Sequence, residues 1–132
     1  MTPTEYLVHL KTCLVTSSVV ASFDIVEEWN QPDRGYLRVR ATLANGDFLE
    51  AAEYFVAPAQ VVVTERYSCQ WMDCTRTQLR RRWDNVEHHP ELPNFPHHIH
   101  CAGGRVEPGV SLSIQGVLDQ IAESILPQEN AG

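Results

Sequence analysis

Five of the six histidines lie within residues 88–100, just after a run of arginines and an aspartate. The segment reads Arg80-Arg81-Arg82-Trp83-Asp84-Asn85-Val86-Glu87-His88-His89-Pro90, then Phe95-Pro96-His97-His98-Ile99-His100. An imidazole exchanges protons near neutral pH and ligates metals when neutral. Arginine adds a permanently charged fork that fits phosphate oxygens. Three roles suit such a set. In the first, the histidines satisfy one another and the backbone of a loop, although five imidazoles exceed what a loop requires. In the second they hold a metal, with His97, His98, His100 and His88 or His89 as ligands and Asp84 or Cys101 completing the set. The spacing matches no specific metal motif, since it has neither a paired C-x-x-C nor a helical H-E-x-x-H. The third is phosphodiester cleavage without a metal or other cofactor. Attack of a ribose 2′-hydroxyl on its own phosphate needs a base, an acid on the leaving oxygen, and cations for the charge that develops. Histidines and arginines meet those needs, and Tyr67, Gln70 or Trp71 would position a base. Residue types favour this third role.

The elements that must position these groups are legible as an α+β pattern. Pro3 to Val15 reads as an amphipathic helix, capped by Thr2 or Thr4, with Tyr6, Leu7, Leu10 and Leu14 at helical spacing. Strands are expected near 19–29, 35–44, 47–57, 60–72 and 77–84 from their β-branched and aromatic content. Asn45-Gly46 predicts a tight type I′ hairpin, Asn30 to Gly35 a longer turn, and Pro58-Ala59 and Asp73-Cys74-Thr75 two further turns. Links this short make antiparallel neighbours. Residues 85–110 carry four prolines and three glycines and read as an ordered loop or lid. Ser111 or Ser113 would cap a final helix from Ile114 to Leu126. The expectation is a single domain, 1–132, with a five-stranded antiparallel sheet and a helix at each end. The helices would cover one sheet face. Strand alternation then gathers Arg38, Arg40, Arg66, Arg80 and Arg82 on the other, unless a bulge resets the register.

Composition narrows the partners. The net charge of −7 argues against nucleic acid. Yet residues 64–106 hold six arginines against five acids, and the excess acid lies elsewhere in the chain. No apolar stretch is long enough for a membrane helix, and the N-terminal residues Glu5, His9 and Lys11 do not form a secretory signal. A cytoplasmic protein is expected, with Cys13, Cys69, Cys74 and Cys101 as reduced thiols.

Arg66-Tyr67-Ser68, then Arg82-Trp83-Asp84-Asn85-x-x-His88-His89-Pro90 and Phe95-Pro96-His97-His98-x-His100, resemble the TumE family of type II toxin–antitoxin proteins. The likeness extends to the opening helix, the Val19–Phe23 strand, the Gly46 hairpin, Glu53-Tyr54 and the final helix. It departs at Trp83, where tyrosine is common, and at Val86-Glu87, where a small residue and proline are typical. The resemblance implies a toxin neutralised by a small helix-turn-helix antitoxin and acting as a ribonuclease on RNA. It carries over Arg82, Asp84, Asn85, His88, His89, His97, His98 and His100 as site residues. On this reading His98 and His100 are acid and base, His88 or His89 is an alternate proton carrier, and Asp84 orients a histidine. Arg80, Arg82, Arg66, Tyr67, Arg38 and Arg40 would meet RNA. A metal-binding hydrolase and a non-catalytic protein-interaction module are the rival readings, and a homodimer is left open.

Overall fold

A computed structural model describes residues 1–125. Helix α1 spans Pro3–Thr16 and helix α2 Ile114–Ile125. Between them run β1 (Val20–Gln31), β2 (Arg34–Leu43), β3 (Phe48–Val56), β4 (Val63–Met72), β5 (Leu79–Asp84), β6 (His98–Cys101) and β7 (Val106–Pro108). The α+β class, the antiparallel pairing and the two terminal helices are as expected. The sheet, however, has seven strands in sequential order rather than five. The two additional strands come from within residues 85–110, which are therefore not a single loop. Leu126, the expected end of α2, lies outside the described residues.

Local chemistry explains the boundaries. Thr2 and Glu5 form a capping box at α1: the Thr2 hydroxyl accepts from the Glu5 amide, and the Glu5 carboxylate accepts from the Thr2 amide. Ser113 caps α2, its hydroxyl accepting from the Gly116 amide at 3.2 Å. Two turns differ from expectation. The Gly46 hairpin has a three-residue loop, closed by the Gly46 amide on the Leu43 carbonyl and the Leu43 amide on the Asp47 carbonyl. Only Gly46 takes positive φ (89°), so this is a turn ending in a left-handed glycine rather than the two-residue type I′ form. Between β1 and β2 the ladder runs out to Gln31 and Arg34, leaving only Pro32-Asp33 as the turn. Gly35 is thus inside β2, where a side chain would run into the Phe55 ring.

Both helices lie on one face. Tyr6, Leu7, Leu10 and Leu14 of α1 and Ile114, Val117, Leu118 and Ile121 of α2 pack with Leu37, Val39, Leu49, Phe55, Cys69 and Trp83 in one buried cluster. Each such side chain contributes about 1.5–3 kcal/mol on leaving water. Within this apolar layer sits Glu53, fully buried. Its carboxylate accepts from the Tyr6 hydroxyl at 2.6 Å, the Thr64 hydroxyl at 3.0 Å and the Ile114 amide at 2.7 Å. One side chain thereby ties α1, β4 and the start of α2 to β3.

Burial raises the Glu53 carboxyl above its ordinary range, with the three donors acting in the opposite direction. The folded protein therefore holds this proton to higher pH than the unfolded chain. The resulting stabilisation is complete below the unfolded-chain value of about 4.3 and is lost as pH rises through the folded value. The urea midpoint should fall over that interval, and Glu53→Gln should flatten the fall. Glu53→Ala, which strands the buried donors, should cost about 3 kcal/mol in the same measurement.

Candidate functional site

The sheet face away from the helices is built from alternate residues of β2 to β6. Strand register places Arg38, Ala52, Ser68, Asp84 and His98 in one row across the sheet, each the partner of the next. Arg40, Glu50, Gln70, Arg82 and His100 form the row beside it. Tyr36, Tyr54 and Arg66 form a third. The chemistry concentrates where the first two rows cross β5 and β6.

Asp84 is the centre of that region, 1% exposed. Its Oδ1 lies 2.9 Å from His98 Nε2 and accepts from the Val86 amide at 3.2 Å. Its Oδ2 lies 2.9 Å from Arg82 Nε and 3.9 Å from His100 Nε2. The Arg82 contact is close but poorly aligned, so buried Arg82 Nε makes no hydrogen bond. His98, 2% exposed, has Nδ1 2.9 Å from the Pro96 carbonyl oxygen. A carbonyl only accepts, so Nδ1 carries a proton, and Pro96 rather than Asp84 fixes the ring's tautomer. His98 Nε2 also meets His100 Nε2 at 3.1 Å. If His98 is neutral, a nitrogen lone pair faces a carboxylate oxygen at 2.9 Å. That approach needs a proton shared between the two or a bound cation.

Other candidates fall around or away from this cluster. His89 adopts positive φ (59°), a conformation histidine tolerates better than most residues. Its ring packs edge-on at 5.4 Å from His98 and 6.0 Å from His100. His89 and His100 are both partly exposed, whereas His98 is sealed behind them. Burial lowers the His100 imidazole below its ordinary range, with Asp84 opposing that shift. His88 is exposed and touches the cluster only through His89, with their rings 6.3 Å apart.

His97 and Tyr67 form a separate pair. The Tyr67 hydroxyl donates to the Val110 carbonyl at 3.0 Å and so accepts from His97 Nδ1 at 2.8 Å. The two rings stack at 5.8 Å, and burial depresses the His97 ring and raises the Tyr67 hydroxyl. Through its hydroxyl Tyr67 holds His97 and Val110, which flank β6 and β7, to β4. Asn85 is likewise structural: its side chain accepts from the Tyr67 amide and donates to the Glu65 carbonyl.

The arginines divide the same way. Arg82 belongs to the cluster, and Arg66 lies over the Tyr54 ring at 5.4 Å. Arg38 pairs with Glu50 through Nε at 2.9 Å and through its terminal nitrogen, and Arg40 approaches Glu50 at 3.5 Å. An irregularity between Trp71 and Met72 resets the register of β5, so Leu79 rather than Arg80 opposes Met72. Arg80 is diverted to Asp47, 3.3 Å away, a carboxylate that also accepts from Trp71 Nε1. It does not join the open face. Residue spacing also passed over Tyr36 and Tyr54, although the alternation that selects Arg38 and Arg40 places Tyr36 beside them.

A family profile for the toxin TumE matches residues 10–125. The chain belongs to the TumE toxin family. No curated protein and no solved structure matches it significantly. In this TumE chain the family resemblance falls on both sides of the sheet. Asp84, His89, His98 and His100 converge on the open face, while His97 and Asn85 fasten the segment that carries them. No helix among the described residues is long and apolar enough to cross a membrane. All four cysteines are free thiols, and burial pushes Cys69 up to about 12, so it is inert at neutral pH.

Removing the central carboxylate should be costly. Asp84→Ala leaves buried His98 Nε2 and the Val86 amide without their acceptor and should lower unfolding stability by about 3 kcal/mol. Asp84→Asn should recover part of that loss by keeping the Val86 amide bonded. Urea titrations of the two variants against the parent test both statements.

Proposed function

We propose that this TumE toxin is an endoribonuclease that cleaves RNA on the open sheet face without a metal. The observation that carries the reading is the pair of accessible imidazoles, His89 and His100, 6.0 Å apart beside Arg82 and backed by buried Asp84 and His98. One imidazole takes the proton from a ribose 2′-hydroxyl as its oxygen attacks the adjacent phosphorus. The bond from phosphorus to the 5′-oxygen breaks, and the other imidazole supplies the proton to that leaving oxygen. The products are a 2′,3′-cyclic phosphate and a 5′-hydroxyl. Arg82 stabilises the charge on the phosphorane oxygens. His98, sealed from solvent, exchanges protons with His100 across 3.1 Å and does not touch the substrate. The cellular partner on this reading is a helix-turn-helix antitoxin that neutralises the toxin, an assignment that rests on the toxin family alone.

Substituting His100 or His89 by alanine should lower RNA cleavage about 100-fold or more and relieve growth inhibition, with circular dichroism unchanged. Full cleavage by both variants would remove the reading. End-group analysis of the product RNA should find cyclic phosphate.

A second reading is favoured by one observation. Asp84, His98 and His100 each bring a ligand atom to a common point, within 4.8 Å of one another. Two imidazoles and a carboxylate suit a divalent transition metal, which would take the place of the proton shared by His98 and Asp84 and activate a water for hydrolysis. Metal analysis of protein purified without a histidine tag separates the two. Stoichiometric metal, with cleavage abolished by a chelator and restored by the ion, would replace the metal-free mechanism.

A further inference from the structure

Beside the histidine cluster the open face forms a trough that the proposed chemistry leaves unused. One cavity of about 390 Å³ is lined by Tyr36, Ala52, Tyr54, Arg66 and Ser68, among others. A second, of about 350 Å³, shares Tyr36, Ala52 and Ser68 and runs on past the Arg38–Glu50 ion pair to Gln70 and Arg82. The reason is in the register. The row between the aromatic residues and the next charged row carries Ala52 and Ser68, whose small side chains leave a floor. Tyr36 and Tyr54, paired across β2 and β3, stand along one side as a wall. Trp29 stacks on Tyr36 with ring centroids 6.0 Å apart and planes within 14°, which stiffens that wall from behind.

The contents of the trough point to a ligand with a flat face and a negative charge. Aromatic walls over a small-residue floor suit a nucleobase, because every base has a π-face and stacking tolerates any sequence. Ser68 and Gln70 place a hydroxyl and an amide along the floor for the base edge. Arg66 differs from Arg38 and Arg40 in being held over an aromatic ring instead of a carboxylate, so its charge stays available to a phosphate. The trough also leads toward the cluster. Ser68 is the strand partner of Asp84, and Asp84 of His98, so its floor lies about 10 Å from His98 at ordinary strand spacing.

We infer that Tyr36, Tyr54 and Arg66 form a base-stacking subsite for single-stranded RNA, which delivers the backbone to Arg82 and His100. The subsite rests on the ribonuclease reading and adds how the strand is held. Affinity here comes from stacking and backbone charge, so the preference is for unpaired nucleotides and only weakly for sequence.

The test uses the full chain carrying His100→Ala, so that RNA stays intact, with a fluorescein-labelled single-stranded oligouridylate followed by anisotropy. Adding Tyr54→Ala should weaken binding about fivefold to a hundredfold, while Tyr54→Phe should retain it. An abasic strand of equal length should bind the His100→Ala chain at least as weakly as oligouridylate binds the alanine variant. Arg66→Gln guards against a Tyr54→Ala chain that does not fold. It should weaken binding and reduce the salt dependence of affinity by about one counterion. Equal binding of the parent, Tyr54→Ala and abasic combinations would overturn the subsite while leaving RNA as the substrate. No RNA binding by the parent, together with no cleavage by the wild-type chain, would overturn both.

Discussion

One buried carboxylate decides which face of this sheet is free. Glu53 lies in the apolar layer, and its three donors come from α1, β4 and the first turn of α2. An ionisable side chain in such a place costs several kcal/mol unless its lone pairs are met. Those donors meet the carboxylate only when both helices sit on the same side of β3. Apolar stripes alone would let a helix slide or rotate on a sheet, since hydrophobic contact is not directional. Hydrogen bonds from Tyr6 and from the Ile114 amide set position as well as side. With both helices committed there, the opposite face has no cover among the described residues, and its side chains are left to do other work.

Asp84 is the counterpart on that opposite face, and its partners are of a different kind. Glu53 meets two hydroxyls and an amide, groups that hold their protons throughout the ordinary pH range. Asp84 also accepts from one amide, that of Val86, but its side-chain partners are two imidazoles and a guanidinium, groups that carry charge or exchange protons. Both carboxylates are sealed from solvent, so burial alone does not distinguish a fastening from a site. The partner chemistry does. Strand register produces the second set: Asp84 lies opposite His98 and Arg82 opposite His100 on neighbouring antiparallel strands. Side chains directly across such a pair are about 5 Å apart at Cβ. Contact between carboxylate and imidazole therefore follows once β6 docks on β5.

The helices, the first five strands and the two-faced sheet were legible because each rests on a pattern several turns or pleats long. β6 was not, although its four residues carry the right alternation. His98 and His100 face the open side, and Ile99 and Cys101 the core side. Four residues between prolines and glycines give periodicity too little length to register, and the pairing with β5 is a tertiary effect. The histidines drew attention by type, yet type could not separate His97 from His98, adjacent residues with unlike surroundings. His98 is in the strand and meets Asp84; His97 precedes it and meets Tyr67. Arg80 was misplaced for a related reason, since one irregular residue in the β4–β5 ladder turns it from the open face. The buried role of Glu53 had no local signal, because its donors lie 47, 11 and 61 residues away in sequence.

Charge on the open face follows from these same placements, and it bears on whether an acidic chain can take the RNA substrate proposed for it. Arg38 and Arg40 of β2 are opposed by Glu50 on one side and by Glu27 and Asp24, their strand partners in β1, on the other. That edge of the face is close to neutral in effect, and a phosphate there would meet carboxylates as readily as guanidinium groups. Arg66 and Arg82 lie farther across the sheet, one over an aromatic ring and the other against Asp84, whose charge it shares with two histidines. Coulomb attraction between exposed charges fades over about 8–10 Å at physiological salt, so the local pattern outweighs the net charge of −7. A nucleic-acid strand on this face would be steered from Arg66 toward Arg82, across the strands rather than along β2. The acids of β1 and β3 would then narrow the path by repelling the backbone from its far edge.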